Sequence, residues 1–111
     1  MAEHKHWKAL FPANYLGHQH LVDGKDMIVK IADVKEEWIQ NQNGKEKKPV
    51  LYFEGDVLPL ILNKTNAERI VEVLGEDMVD KWVGQKIQLG IEIVSGFGKT
   101  GPAVRVREFK P

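Results

Sequence analysis

The chain has no cysteine, a single serine, no net charge and no long apolar run, and each lack removes a class of function. Without cysteine there is no disulfide framework, no thiol nucleophile and no thiolate metal site; a reducing setting is permitted. No apolar run approaches the roughly 18 residues of a membrane span. The first residues, MAEHKHWKALF, have no apolar signal-peptide centre. The expectation is therefore a cytoplasmic protein without a membrane partner. No histidine stands near Ser95, the only serine, so a serine nucleophile is not expected. SGFGKTG at 95–101 contains GKT but not the first glycine of a P-loop at the required distance, and no helical pattern follows it. Asp23, Asp26 and Asp33 lack the spacing of a two-metal nuclease. Neither an enzyme nor a bound cofactor is expected.

What is present is enough for one small core: 111 residues, 42% of them hydrophobic and 29% charged. Sixteen basic residues balance sixteen acidic ones, whereas nucleic-acid-binding domains are often strongly basic. The distribution is uneven, however. Residues 66–80 hold Glu68, Glu72, Glu76, Asp77 and Asp80 against Arg69. Residues 95–111 hold Lys99, Arg105, Arg107 and Lys110 against Glu108, and Lys45, Lys47 and Lys48 cluster around Glu46. A neutral sum thus conceals acidic and basic sides.

Residues 1–24 have no clear period and read as an arm packed on the rest through Trp7, Phe11, Tyr15 and Leu16, ending at the Asp23-Gly24 turn signal. Residues 25–111 form the domain proper. Met27–Val34 is a strand with Val29 and Ile31 on one face and Lys30 and Ala32 on the other. Residues 35–48 are polar and contain Asn43-Gly44, a hairpin-loop signal; Trp38 and Ile39 allow the first strand to continue past a bulge. Val50–Glu54 is a second strand, with Leu51 and Phe53 facing inward, and 57–62 a third, in which Pro59 requires an edge position or a bulge.

The period then changes. Thr65-Asn66-Ala67-Glu68 matches a capping box, Ala67, Ile70, Val71 and Leu74 follow at helical spacing, and Gly75 suits the C-cap. Glu68, Arg69 and Glu72 are expected on a solvated face. After a short turn at 77–82, in which Trp82 reads as core, residues 85–94 alternate strictly, with Ile87, Leu89, Ile91 and Ile93 on one face. Ser95–Pro102 is expected to be a mobile glycine-rich loop. Residues 103–107 close the domain with Val104 and Val106 inward and Arg105 and Arg107 outward. Three strands, a helix and two strands is the element order of the five-stranded OB-fold barrel, with its helix between strands three and four. An SH3-like or split barrel is the alternative.

The wording of the chain adds to its pattern. LNKTNAERI at 62–70, LGEDMVDKWVGQKIQL at 74–89 and AVRVRE at 103–108, with FPANYL at 11–16 and the MIVKI strand, resemble a family of small phage and prophage proteins. The resemblance covers nearly the whole chain. It implies an OB-fold and single-stranded DNA binding in phage replication or recombination regions, in a bacterial host. It supplies no binding residues.

The candidate site therefore comes from barrel geometry, in which the loops between strands one and two and between strands four and five flank the binding face. Single-stranded nucleic acid needs aromatic faces for bases and cations for phosphates. Trp38, Lys45, Lys47 and Lys48 lie in or beside the first loop, Phe97 and Lys99 in the second, with Tyr52, Lys30, Arg105 and Arg107 on outward strand faces. Trp38 suits capping the barrel as well as stacking, and a lysine run suits a solvated hairpin tip. Phe97, a lone aromatic among glycines, has little core to join. Stacking and phosphate contacts serve DNA and RNA alike. A protein-docking barrel for replication or recombination partners is the rival reading, and an open barrel edge permits self-association. His4/His6 and His18/His20 have the ligand type for zinc, but no cysteine or placed acid joins them, so no metal site is expected.

Overall fold

The computed structural model describes residues 15–41, 44–96 and 98–111. These form a five-stranded antiparallel sheet and one α-helix: β1 (Met27–Asn41), β2 (Gly44–Phe53), β3 (Leu60–Ile61), α1 (Lys64–Leu74), β4 (Lys86–Gly96) and β5 (Lys99–Val106). Short 3-10 turns lie at His18–His20, Val22–Gly24 and Val79–Trp82. The strand order is β3-β2-β1-β4-β5, and among the described residues β3 and β5 share no ladder, so the sheet is open.

One strand serves both halves of the sheet. From Met27 to Lys30, β1 pairs with β4 (Met27↔Leu89 to Lys30↔Lys86). From Ile31 to Asn41 it pairs with β2. The changeover coincides with a register shift between Ile31 and Asp33, which leaves Ala32 as the extra residue of a bulge. A bulge bends its strand and increases its twist, which redirects β1 from one partner to the other. Val29 and Ile31 enter the core before the bulge, Leu51, Phe53, Ile87, Leu89, Val104 and Val106 complete the sheet's inner face, and Ile70 and Trp82 cover it. Leu16 and Leu21 from the N-terminal segment join the same core. Trp7 and Phe11 lie outside the described residues.

The strands are longer than the apolar pattern predicts in two places. Residues 35–48, expected as a loop, form the outer parts of β1 and β2, paired from Lys35↔Val50 to Asn41↔Gly44. Ser95–Pro102, also expected as a loop, is largely strand, with Ile93↔Pro102 and Gly96↔Lys99 in register. Ile93, on the same face as the buried Ile87 and Leu89, is 69% exposed because this part of the hairpin runs beyond the core. Conversely, β3 shrinks to two residues after Pro59, whose carbonyl accepts from the Leu16 amide at 2.8 Å.

The helix begins earlier than the Thr65 capping box implies. Asn63 is the N-cap, its side-chain oxygen accepting from the Asn66 amide at 2.8 Å, and Gly75 closes the helix in the left-handed conformation (φ 66°). Asn66 is then free for another task. It is 1% exposed, accepts from the Val106 amide at 2.9 Å and donates to the Val104 carbonyl at 3.1 Å. Because the Arg107 amide donates to the Gln88 carbonyl of β4, alternation directs Val104 and Val106 to the other edge of β5. Asn66 thus completes that edge as a neighbouring strand would. Arg69 adds a bond to the Val106 carbonyl at 3.2 Å. It is therefore not on a solvated face.

Candidate nucleic-acid interface

Antiparallel pairing sorts the polar residues of the β1–β2 ribbon by alternation. Glu36, Trp38 and Gln40 share a face with Pro49, Lys47 and Lys45, opposite them in register. The other face carries Asp33, Lys35, Glu37 and Ile39 with Tyr52, Val50, Lys48 and Glu46. The lysine run is thereby divided: Lys45 and Lys47 stand on the Trp38 face, Lys48 on the Tyr52 face. A run read as a loop has no faces, which is why the sequence grouped all three.

The two faces differ in exposure and in charge commitment. Trp38 is 65% exposed, so it does not cap the barrel, and the Lys47 Nζ lies 6.0 Å from its ring centroid. Lys45 and Lys47 form no ion pair among the described residues. Across the ribbon, Lys35 pairs with Asp33 at 3.9 Å and Lys48 with Glu46 at 3.7 Å. Lys35 also stands 5.3 Å from the Tyr52 ring centroid. The Tyr52 hydroxyl donates to the Glu37 carboxylate, and that bond, reinforced by burial, pushes its pKa up to about 12. Tyr15 lies close enough to Glu37 for the carboxylate, after burial, to raise its own pKa. Val50, on this face, is fully buried. The Tyr52 face is partly buried and internally paired, whereas the Trp38 face offers an open indole beside uncommitted ammonium groups.

The remaining candidates are dispersed. From the short β1–β4 seam, the ribbon runs off past Lys86 and the β4–β5 hairpin past Met27, in opposite directions along the register. Lys99, exposed at the start of β5, therefore belongs to a separate arm from Trp38. Phe97 lies outside the described residues. Lys30 sits before the bulge and pairs with Glu54 at 3.6 Å. Arg105 is half-buried.

Arg107 is committed to structure. Its Nε and Nη2 donate to the two oxygens of Asp26 at 2.9 and 3.0 Å, and its Nη1 lies 3.5 Å from Glu92. The guanidinium lies over Gly90, where any Cβ would collide with it. Glu92 in turn accepts from Arg69 at 2.7 Å, and Gln88 donates to Asp26 at 2.8 Å. This network joins the residue before β1 to β4, β5 and α1, and the sequence showed only an outward arginine.

The network makes stability pH-dependent. Hydrogen bonds from Arg107 and then Gln88 hold the Asp26 carboxyl below its ordinary value, and Arg69 does the same for Glu92. A carboxyl depressed on folding contributes stability above its unfolded pKa and loses it as pH falls through the folded value. Asp26→Asn is expected to lower the urea midpoint at about pH 7 and to lower it less at about pH 3, below the ordinary aspartate pKa, where the unfolded chain already binds the proton and the contribution is being lost. Equal losses at both pH values would remove Asp26 from this role.

His18 and His20 occupy a 3-10 turn rather than extended backbone, and the His20 Nδ1 accepts from the Gly17 amide at 2.9 Å. His4 and His6 lie outside the described residues. Among the described residues no group of three or more His, Asp or Glu side chains is placed to hold a metal ion, and no helix is long and apolar enough to cross a membrane. No protein-family model, no curated protein and no solved structure matches the chain.

Proposed function

We propose that this protein is an OB-fold protein that binds single-stranded nucleic acid, acting in the cytoplasm of a bacterial host in phage or prophage DNA replication or recombination. Its resemblance to small phage proteins and its element order favour that reading. The strand order adds support: a first strand shared between two sheet halves, a bulge at the changeover and a helix following the third strand are the arrangement of that barrel. Here α1 docks on the free edge of β5 through Asn66.

The observation that carries the function is Trp38, 65% exposed on a ribbon face with Lys45 and Lys47 beside it. An indole exposed to water at that level adds little to the fold. As a stacking surface for a base it contributes about 1–3 kcal/mol, with adjacent lysines neutralising phosphates and little sequence preference. DNA and RNA are both accommodated by that chemistry. A labelled oligothymidine of about 20 nucleotides is expected to bind with salt-sensitive affinity and in preference to its duplex. Absence of binding at low salt would refute the proposal.

A second reading rests on the ribbon's edges. Beyond the short β1–β4 and β2–β3 ladders, β1 and β2 pair only with each other among the described residues. Unpaired edges accept a strand from a replication partner or a second copy of the chain. Capture of a protein partner with no nucleic-acid binding would select this reading.

A further inference from the structure

We propose that a cleft at the opposite side of the β1 bulge from the ribbon, lined by Lys30, Lys86 and Lys110, is a binding site for a phosphate-bearing anion. The argument begins with a cost. Lys30 and Lys86 are direct partners in the β1–β4 ladder, a register that places their Cβ atoms about 4.5–5.5 Å apart and sets like charges opposite each other, which is unfavourable without an anion. The backbone cannot relieve this by drifting apart. The Ile31 amide donates to the Gln85 carbonyl at 2.9 Å, and the Gly84 amide donates to the Ile31 carbonyl at 2.8 Å.

Lys110, from the segment after β5, is a third lysine lining the same cleft, which measures about 330 Å³ and has Leu74 from the end of α1 on its wall. Lys30 is partly neutralised by Glu54 at 3.6 Å, but both partners are about half exposed, and such a pair is weak. Lys86 and Lys110 have no ion-pair partner among the described residues. Gln85 also lines the cleft. Three lysines lining one concave site, against Glu54 and the carboxylate of the last residue, Pro111, which also lines it, leave an excess of positive charge there. Lysine acts on phosphate as a point charge without the fixed fork of arginine. The ligand class is therefore a small, multiply charged phosphate: either the phosphates of a strand continuing past the bulge or a free phosphate compound.

The test uses the full chain, isotopically labelled for amide resonances, with inorganic pyrophosphate as the probe. Pyrophosphate is expected to shift the Gly84, Gln85 and Lys86 amides saturably. The double variant Lys86→Gln, Lys110→Gln, which alters exposed side chains only, is expected to weaken that binding by about tenfold or more. Oligothymidine then separates the sources. If it shifts the same amides and displaces pyrophosphate, the site holds strand phosphates; if it leaves them unmoved while pyrophosphate binds, the site takes a free phosphate compound. The proposal fails if pyrophosphate leaves these amides unmoved, or if it shifts them equally in the double variant. The ribbon is read separately at the Trp38 indole resonance, so failure of single-strand binding there leaves the pyrophosphate result standing.

Discussion

Trp38→Ala is expected to weaken oligothymidine binding by roughly tenfold to a hundredfold while leaving the folded protein's stability nearly unchanged. The magnitude follows from the roughly 1–3 kcal/mol that a base–aromatic stack contributes. The small effect on stability follows from exposure: with 65% of Trp38 in water, its removal forfeits little burial. The lysines beside it are expected to act differently. Lys45→Glu with Lys47→Glu should bring binding close to background. Lys45→Gln with Lys47→Gln should reduce the salt slope by up to about two, since each lysine removed leaves one phosphate with its counterion. Lys48→Glu is the internal control. It lies on the other face and already pairs with Glu46, so its effect should be clearly smaller than that of either neighbour. Arg107→Ala supplies the complementary control, because its guanidinium is held by Asp26; stability should fall and the salt slope should hold. If Lys47 and Lys48 prove equivalent, the ribbon's two faces do not define the interface. If Trp38→Ala binds like wild type, the indole is not the platform. Anisotropy titrations at two salt concentrations, with a thermal melt of each variant, decide all of these.

The contrast between Lys47 and Lys48 also marks where sequence reading stops. Alternation is visible only when the two faces of a strand differ in polarity. From 85 to 91 they do, and Ile87 and Leu89 are buried as the pattern requires. From 35 to 48 both faces are polar, so the residues that extend β1 and β2 look like a loop, and the candidate interface looks like an undivided lysine cluster. The same lack of contrast hides the outer part of the β4–β5 hairpin. Trp82 was legible as core from its place between Val79 and Val83 after the helix; it is 2% exposed and its indole N–H donates to the Glu76 carbonyl at 2.9 Å. Arg107 was not legible, since its alternation correctly points it outward but its partner Asp26 lies 81 residues away. Outward on a sheet need not mean free. Asn66 was concealed by a motif that was itself plausible: inside a capping box, an asparagine reads as the first exposed turn of a helix.

That asparagine carries the largest expected effect on stability. Asn66→Leu is expected to destabilise the protein by about 3 kcal/mol, because the substitution leaves two buried backbone groups without partners, at roughly 1–3 kcal/mol each, while apolar burial offsets part of the loss. For a domain of this size that is a fall in Tm of roughly 10–20 °C. The groups concerned are the Val106 amide and the Val104 carbonyl, which the Asn66 side chain satisfies at 2.9 and 3.1 Å. Their position makes the effect more than local. They lie on the edge of β5 that has no strand partner among the described residues, where α1 docks through Asn66. Losing the amide should therefore expose a strand edge as well as loosen the helix, and an exposed edge invites pairing between molecules. Two readouts follow: a lowered urea midpoint, and association at high protein concentration that wild type does not show. Asn66→Asp separates hydrogen bonding from shape. A carboxylate still accepts from the Val106 amide but cannot donate to the Val104 carbonyl unless protonated. Its folded-state pKa should be raised, so its stability deficit relative to wild type should shrink as pH falls through that value, while the deficit of Asn66→Leu should show no such recovery. A small effect from both substitutions would mean that α1 docks on β5 through apolar contact alone and that the β5 edge is not held by the Asn66 amide.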